Sequence, residues 1–404
     1  MQRRKKRRRS NPALIVLLIL LIGSMLFFNQ YVAPTIPLPE SATASPTVGP
    51  EAFISQAEEH FNAGNLVQAV ASYQQAVIAQ PDNPSIYIAL ARTEALSGRY
   101  EAAETSVRNA LLLSPENPEG HALLGWILNF LGRQDEAISS IQHALRLEDN
   151  NALAHAFYSE ILADLQDYEG AAEESREAME LRPDLLEVRR ARGYVLETTG
   201  NYEDAIIQYE AALNINDKIA ELHLALGRTY RALGFYTEAI DSFVRADALD
   251  PTNSLPDTYI GLIYLTTGEF GRAVQSMTQA AQEDPSNPYR HGNLGSAFYR
   301  NQQTDEAIAA FALAIHGGNT ENGIPVQGLP LDYGAEATYY YLYGLSLARV
   351  GRCADALPIS QALIANVPAD EFAVANAEEI LLICEDQANS LPAPTATVPE
   401  ESNG

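Results

Sequence analysis

The chain has 404 residues, and its 52 Asp and Glu stand against 26 Lys and Arg, a formal net charge of −26. Seven of the basic residues lie among the first nine, which leaves 19 basic against 52 acidic residues in the body, −33. A body of that charge repels a phosphate backbone, which excludes nucleic-acid binding as a function class.

At the N-terminus, Arg3, Arg4, Lys5, Lys6, Arg7, Arg8 and Arg9 form a basic segment over residues 1–12. Ala13 to Phe28 then run without a charge, and with Tyr31 and Val32 they predict a membrane-spanning signal anchor over residues 13–32. A cleaved signal peptide needs small residues after the apolar core, whereas Asn29, Gln30 and Tyr31 follow here, so an uncleaved anchor is the expectation. No cysteine follows the core to carry a lipid. The basic flank predicts a cytoplasmic N-terminus and an extracytoplasmic body in the cell membrane. Residues 33–49 mix Pro, Ser and Thr without apolar periodicity and read as a coil linker.

From residue 50 the chain repeats itself at a shift of 34 residues. Ala69, Ala103, Ala137, Ala171, Ala205, Ala239, Ala273 and Ala307 share one register, and Ala76, Ala110, Ala144, Ala178, Ala212, Ala246, Ala280 and Ala314 share another. A small residue recurs from Ala91 and Gly125 to Gly295, turn glycines from Gly64 to Gly268, and closing prolines at Pro81, Pro115, Pro183, Pro251 and Pro285. Asn83-Pro84, Asn117-Pro118 and Asn287-Pro288 place a capping side chain before proline at a first helical position.

These residues resemble the tetratricopeptide repeat, in which small residues let two antiparallel helices cross closely and proline ends the second. The resemblance implies an all-α, right-handed superhelical solenoid. Eight repeats are expected over residues 50–321, an inserted loop over 322–336, a ninth repeat over 337–370, a capping helix over 371–388 and a disordered tail over 389–404. The insert, rich in Pro and apolar residues, is expected either to form a wall of the groove beside Tyr341 or to be a disordered excursion.

Cys353 and Cys384 are expected at the same end of the helix stack, where a disulfide bond is one reading and two buried free thiols the other. They are too few for a four-cysteine zinc site. His121, His155, His223 and His291 share a register, but equivalent residues of stacked repeats lie about 10 Å apart, while ligands of one zinc lie about 2 Å from it. A packing role is expected for them, with no metal and no cofactor.

No G-x-S-x-G elbow, H-E-x-x-H or phosphate-binding glycine loop occurs, and anchor, linker, repeats and tail use the whole chain, so no enzyme is expected. In the family, the first helix of each repeat lines a concave groove. Carried over, the groove positions include Trp126, Phe130, Tyr194, Arg228, Arg231, Tyr289, Tyr299, Arg300, Tyr341 and Arg349. Tyr and Arg dominate from Arg228 onward, and no acidic residue of this set follows Glu221. The expected function is a membrane-tethered, extracytoplasmic scaffold for protein–protein interaction that holds an extended, acidic or carboxylate-ending partner segment. The family's carboxylate clamp of lysines and asparagines is excluded, since Lys218 is the only lysine in the repeats. The alternative is a cell-wall or polysaccharide-binding or export factor, with Trp126 and the tyrosines stacked on sugars.

Overall fold

The structure is a computed structural model that describes residues 12–27 and 49–390. The chain divides into two compact units, Met1–Ala52 and Phe53–Gly404. The first contains α1 (Pro12–Phe27), 16 residues that cover the described part of the expected span over 13–32. Among the described residues, no helix is long and apolar enough to cross a membrane. Residues 28–32 of the expected anchor lie outside the described ones, as do the basic segment, nearly all of the expected linker and the tail beyond Ser390.

The body is a succession of helix pairs. α2 (Pro50–Asn62) pairs with α3 (Leu66–Ala79), α4 (Pro84–Leu96) with α5 (Tyr100–Leu113), α6 (Pro118–Phe130) with α7 (Gln134–Leu147), and α8 (Ala152–Asp164) with α9 (Tyr168–Leu181). α10 (Leu186–Thr198) and α11 (Tyr202–Ile215) follow, then α12 (Ala220–Ala232) and α13 (Tyr236–Leu249), α14 (Leu255–Thr267) and α15 (Phe270–Glu283), and α16 (Pro288–Arg300) and α17 (Thr304–His316). After an insert come α18 (Ala335–Arg349), α19 (Cys353–Asn366) and α20 (Glu371–Ser390).

The sequence period explains each pair locally. The Asn83 side chain accepts from the Ser85 backbone N–H at 3.0 Å and that of Asn117 from Gly120 at 2.8 Å, satisfying amides that an isolated helix leaves unpaired. Within a repeat, the recurrent small residue faces a large one. A Cβ on Gly227 would lie 2.6 Å from the Phe243 ring, and one on Gly125 would lie 2.9 Å from the Ala137 carbonyl oxygen. The first alanine register is wholly buried throughout, from Ala69 to Ala307, so neighbouring helices approach to backbone distance.

The register of histidines has a local role that differs from simple packing. His121, His155, His223 and His291 each place Nε2 2.8–2.9 Å from the carbonyl oxygen six residues earlier, at Pro115, Asp149, Asp217 and Pro285. Arg189, at the same position of another repeat, donates from Nε to Pro183 O at 2.7 Å. In these five repeats the side chain thus serves a carbonyl of the turn between repeats.

The insert is ordered. β1 (Gly318–Asn319) and β2 (Pro325–Val326) pair antiparallel, and Leu329 N–H donates to Ala314 O at 2.9 Å. Val326 and Leu329 are buried, and the Tyr340 hydroxyl donates to Leu329 O at 2.9 Å. The insert therefore packs against α17 and α18 through Tyr340, the neighbour of Tyr341. With α15, α16 and α17 it bounds a cleft of about 800 Å³. Cys353 and Cys384 are joined by a disulfide bond, with Cα atoms 5.5 Å apart, tying α19 to α20.

The winding of the body brings its beginning against a later part of the chain. Phe61 and Leu66 pack on the apolar cluster of Leu186, Ile219 and Leu222. A Cβ on Gly64 would lie 3.1 Å from Lys218 O. Arg92 Nε donates to Glu187 at 2.5 Å across 95 residues of sequence.

Candidate functional site

The expected groove residues all lie on the first helix of a pair. In the early repeats these side chains occupy one another. Trp126 is only 2% exposed, with one face stacked on Phe157 at 4.9 Å and the Arg190 guanidinium 4.7 Å from the ring centre. Its Nε1–H donates to Glu160 at 3.0 Å, and Arg190 Nη2 lies 2.6 and 2.8 Å from the two Glu160 oxygens. Burial pushes the Glu160 carboxyl up, and the charge of Arg190 opposes it.

Next to this triad is a pocket of about 390 Å³ whose lining includes Phe130, Asp164, Tyr194, Arg228 and Tyr259. Phe130 stacks on Tyr100 with centroids 4.5 Å apart and remains 45% exposed. The Tyr194 hydroxyl donates to Asp164. Arg228 is paired with Glu197 at 3.1 Å and with Glu221 at 3.6 Å. Two expectations change here. Trp126 has no free ring face for a sugar or a peptide, because Phe157 and Arg190 cover it. Arg228 is neutralised by carboxylates of its own chain.

Farther along, the side chains are less occupied. The Arg231 guanidinium lies 5.2 Å from the Tyr259 centroid, and that of Arg349 lies 5.1 Å from Tyr299. Arg349 is half-exposed and only 3.9 Å from Glu379. Arg300 is exposed and has no ion-pair or hydrogen-bond partner among the described residues. Tyr289 is exposed and donates its hydroxyl to Glu336, while Tyr341 is buried with its ring edge-on to Phe372 at 5.6 Å. The structure thus gathers Trp126, Phe130, Tyr194 and Arg228 around one filled or narrow region. Arg231, Tyr299, Arg300 and Arg349 lie along the later first helices.

One cluster escaped the reading of the sequence. Carboxylate oxygens of Asp247, Asp257 and Glu283 lie within 4.8 Å of one another, contributed by α13, α14 and α15. Burial first, and then the charges of Glu283 and Asp247, push the Asp257 carboxyl up to about 7. The folded chain therefore keeps a proton there between about pH 4 and 7 that the unfolded chain has released, so stability falls as pH rises through that window. Asp257→Asn is expected to flatten this slope and to raise stability above pH 7 by on the order of 1–2 kcal/mol in urea titrations. A spacing signal could not have shown the cluster, because its members come from two repeats at unrelated positions of the period.

Sequence profiles described as Tetratricopeptide repeat match residues 60–127, 118–151, and 160–218, 190–254 and 260–322. No protein of curated function matches the chain. Similar solved structures include the Cut9–Hcn1 hetero-tetramer of the APC/C, at 20% identity with 61% of this chain and 48% of that chain covered and a TM-score of 0.48. This chain thus spans about half the length of that relative. Others are a tetratricopeptide repeat protein from Parabacteroides merdae, at 17% identity with 62% and 98% covered and a TM-score of 0.41, and a thermophilic protein of Thermus thermophilus, at 21% identity with 46% and 99% covered and a TM-score of 0.39. Domains built from this repeat bind other proteins and are in general non-enzymatic scaffolds. The helix pairs, the buried alanine registers and the profile matches together make this chain a member of the tetratricopeptide-repeat family.

Proposed function

We propose that the chain is a membrane-tethered, extracytoplasmic scaffold that holds an acidic or carboxylate-ending extended segment of a partner protein along α12, α14, α16 and α18. The observation that carries the reading is Arg300, exposed and without an ion-pair or hydrogen-bond partner among the described residues, in a chain of net charge −26. Abundant carboxylates neutralise most arginines of the body, so a free guanidinium on an inward face is a vacant anion contact. Arg231 and Arg349 add two cations set against tyrosine rings, which restrains them before a ligand arrives. The tether rests on the basic cluster over residues 3–9 followed by the apolar run of α1.

A photo-crosslinker at position 299 is expected to trap a partner protein. Replacing Arg231, Arg300 and Arg349 together by Glu is expected to weaken capture at least 100-fold, taking about 1–2 kcal/mol for each interface arginine. Unchanged capture by the triple variant would move the binding surface elsewhere. Protease accessibility of the repeats in intact cells tests the tether and its orientation.

A further inference from the structure

The contact between the first two repeats and the fifth and sixth differs from every other interface in the body. Neighbouring repeats are joined by continuous helix packing, with wholly buried alanines at each crossing. This long-range contact consists of a small apolar patch, one backbone approach and one ion pair. Phe61 and Leu66, each only partly buried, rest on the Leu186, Ile219 and Leu222 cluster. Gly64, in a left-handed turn with φ 78°, meets Lys218, and a Cβ there would lie 2.5 Å from that residue's Cβ. Arg92 and Glu187 pair across the contact.

The ion pair is unequal. The Arg92 side chain is 40% exposed and that of Glu187 only 2%, and Glu187 Oε2 is buried without a hydrogen-bond partner. A buried carboxylate in this state loses hydration that one cation does not fully replace, so opening the contact returns water to Glu187 and costs little net electrostatic energy. An interface that small, held by so few groups, opens before the repeats on either side unfold. A cleft of about 340 Å³ already runs along the line of contact, lined by Asn65, Gln68 and Arg99 on one side and by Lys218 and Asp250 on the other.

We infer that this seam is a reversible gate: the first two repeats swing away from the fifth and sixth as a folded body and open the axis of the superhelix from the side. The gate stands independently of the anionic-segment reading, since none of its residues belongs to the Arg231, Arg300 and Arg349 set. It supplies what a closed winding otherwise denies to an extended chain, a lateral entrance to the region around Phe130 and Tyr194.

Spin labels on cysteines introduced at Gln68 and Thr252, both exposed and both lining the cleft, report the seam directly. The native cysteines are bonded to each other and do not react. Pulsed dipolar spectroscopy on the full chain is expected to show mainly one short distance, with a longer population that grows at least tenfold in Arg92→Glu and returns to its starting level in the Arg92→Glu, Glu187→Arg pair. Helical circular dichroism stays unchanged in all variants if the gate moves as a folded body. An unaltered distance in a helical Arg92→Glu variant would overturn the inference, and so would loss of helix in step with opening, which would make the seam ordinary folding contact. Phe61→Ala provides a second route to opening that leaves Glu187 paired, and its failure to lengthen the distance would count equally against the gate.

Discussion

Arg190→Ala is expected to destabilise the body by about 3–5 kcal/mol, because it leaves the Glu160 carboxylate buried without its cation. Arg190 is 7% and Glu160 3% exposed, so neither water nor salt can replace the lost partner. The indole of Trp126 donates one hydrogen bond to the same carboxylate, which is far less than the charge requires. Since Trp126 is the only tryptophan, its fluorescence reports this site alone. The emission midpoint in urea should shift strongly in Arg190→Ala and recover most of the loss when Glu160→Gln and Arg190→Met are combined, because a neutral, well-filled site removes the desolvation cost. If Arg190→Ala unfolded at the same urea concentration as the parent chain, the charge pair would not be buried in solution.

Removing the disulfide bond by Cys353→Ser with Cys384→Ser is expected to cost roughly 3–4 kcal/mol, the chain-entropy value for a closed loop of this length. The sequence separation is 31 residues, and the loss falls on α19 and α20, which have a neighbouring repeat on one side only. Gln387 Nε2 still donates to Ala348 O at 2.8 Å, and Ile380 remains wholly buried, so α20 should loosen rather than detach. Limited proteolysis under reducing and non-reducing conditions reads the effect at this end. A reduced chain as resistant as the oxidised one would show that packing alone holds the cap. The two sites lie in repeats that are not neighbours: a change at Arg190 should leave proteolysis of α20 unchanged, since solenoid repeats couple mainly to their neighbours.

Much of the local architecture was legible before any coordinates. The alanine registers at Ala69 and Ala76 and their successors specify where two helices cross, because only a methyl group fits at backbone contact. Gly64, Gly98, Gly132, Gly200, Gly234 and Gly268 specify the turns, where φ lies between 72° and 82°. Gln166 and Gln302 show that the same turn forms without glycine when the flanking helices hold it in place. The histidine register was visible as a register but not as a donor to the preceding turn, since no spacing reveals which carbonyl a side chain serves.

The groove was legible only as a set of positions. Trp126 and Arg228 belong to that set, yet one is covered and the other neutralised, and both outcomes depend on partners in other repeats: Phe157 and Arg190 for Trp126, Glu197 for Arg228. Tyr341 meets Phe372 of the final helix for the same kind of reason. The amino-acid sequence by itself determined the repeat, its helix pairs, their caps and the uneven charge, because each follows from side chains within one 34-residue period. Only the tertiary structure decided how tightly the repeats wind, where the insert docks, and that Arg92 meets Glu187. The rotation from one repeat to the next is small and set by side-chain volumes at every interface, and it is their sum over several repeats that brings the first turn against the fifth.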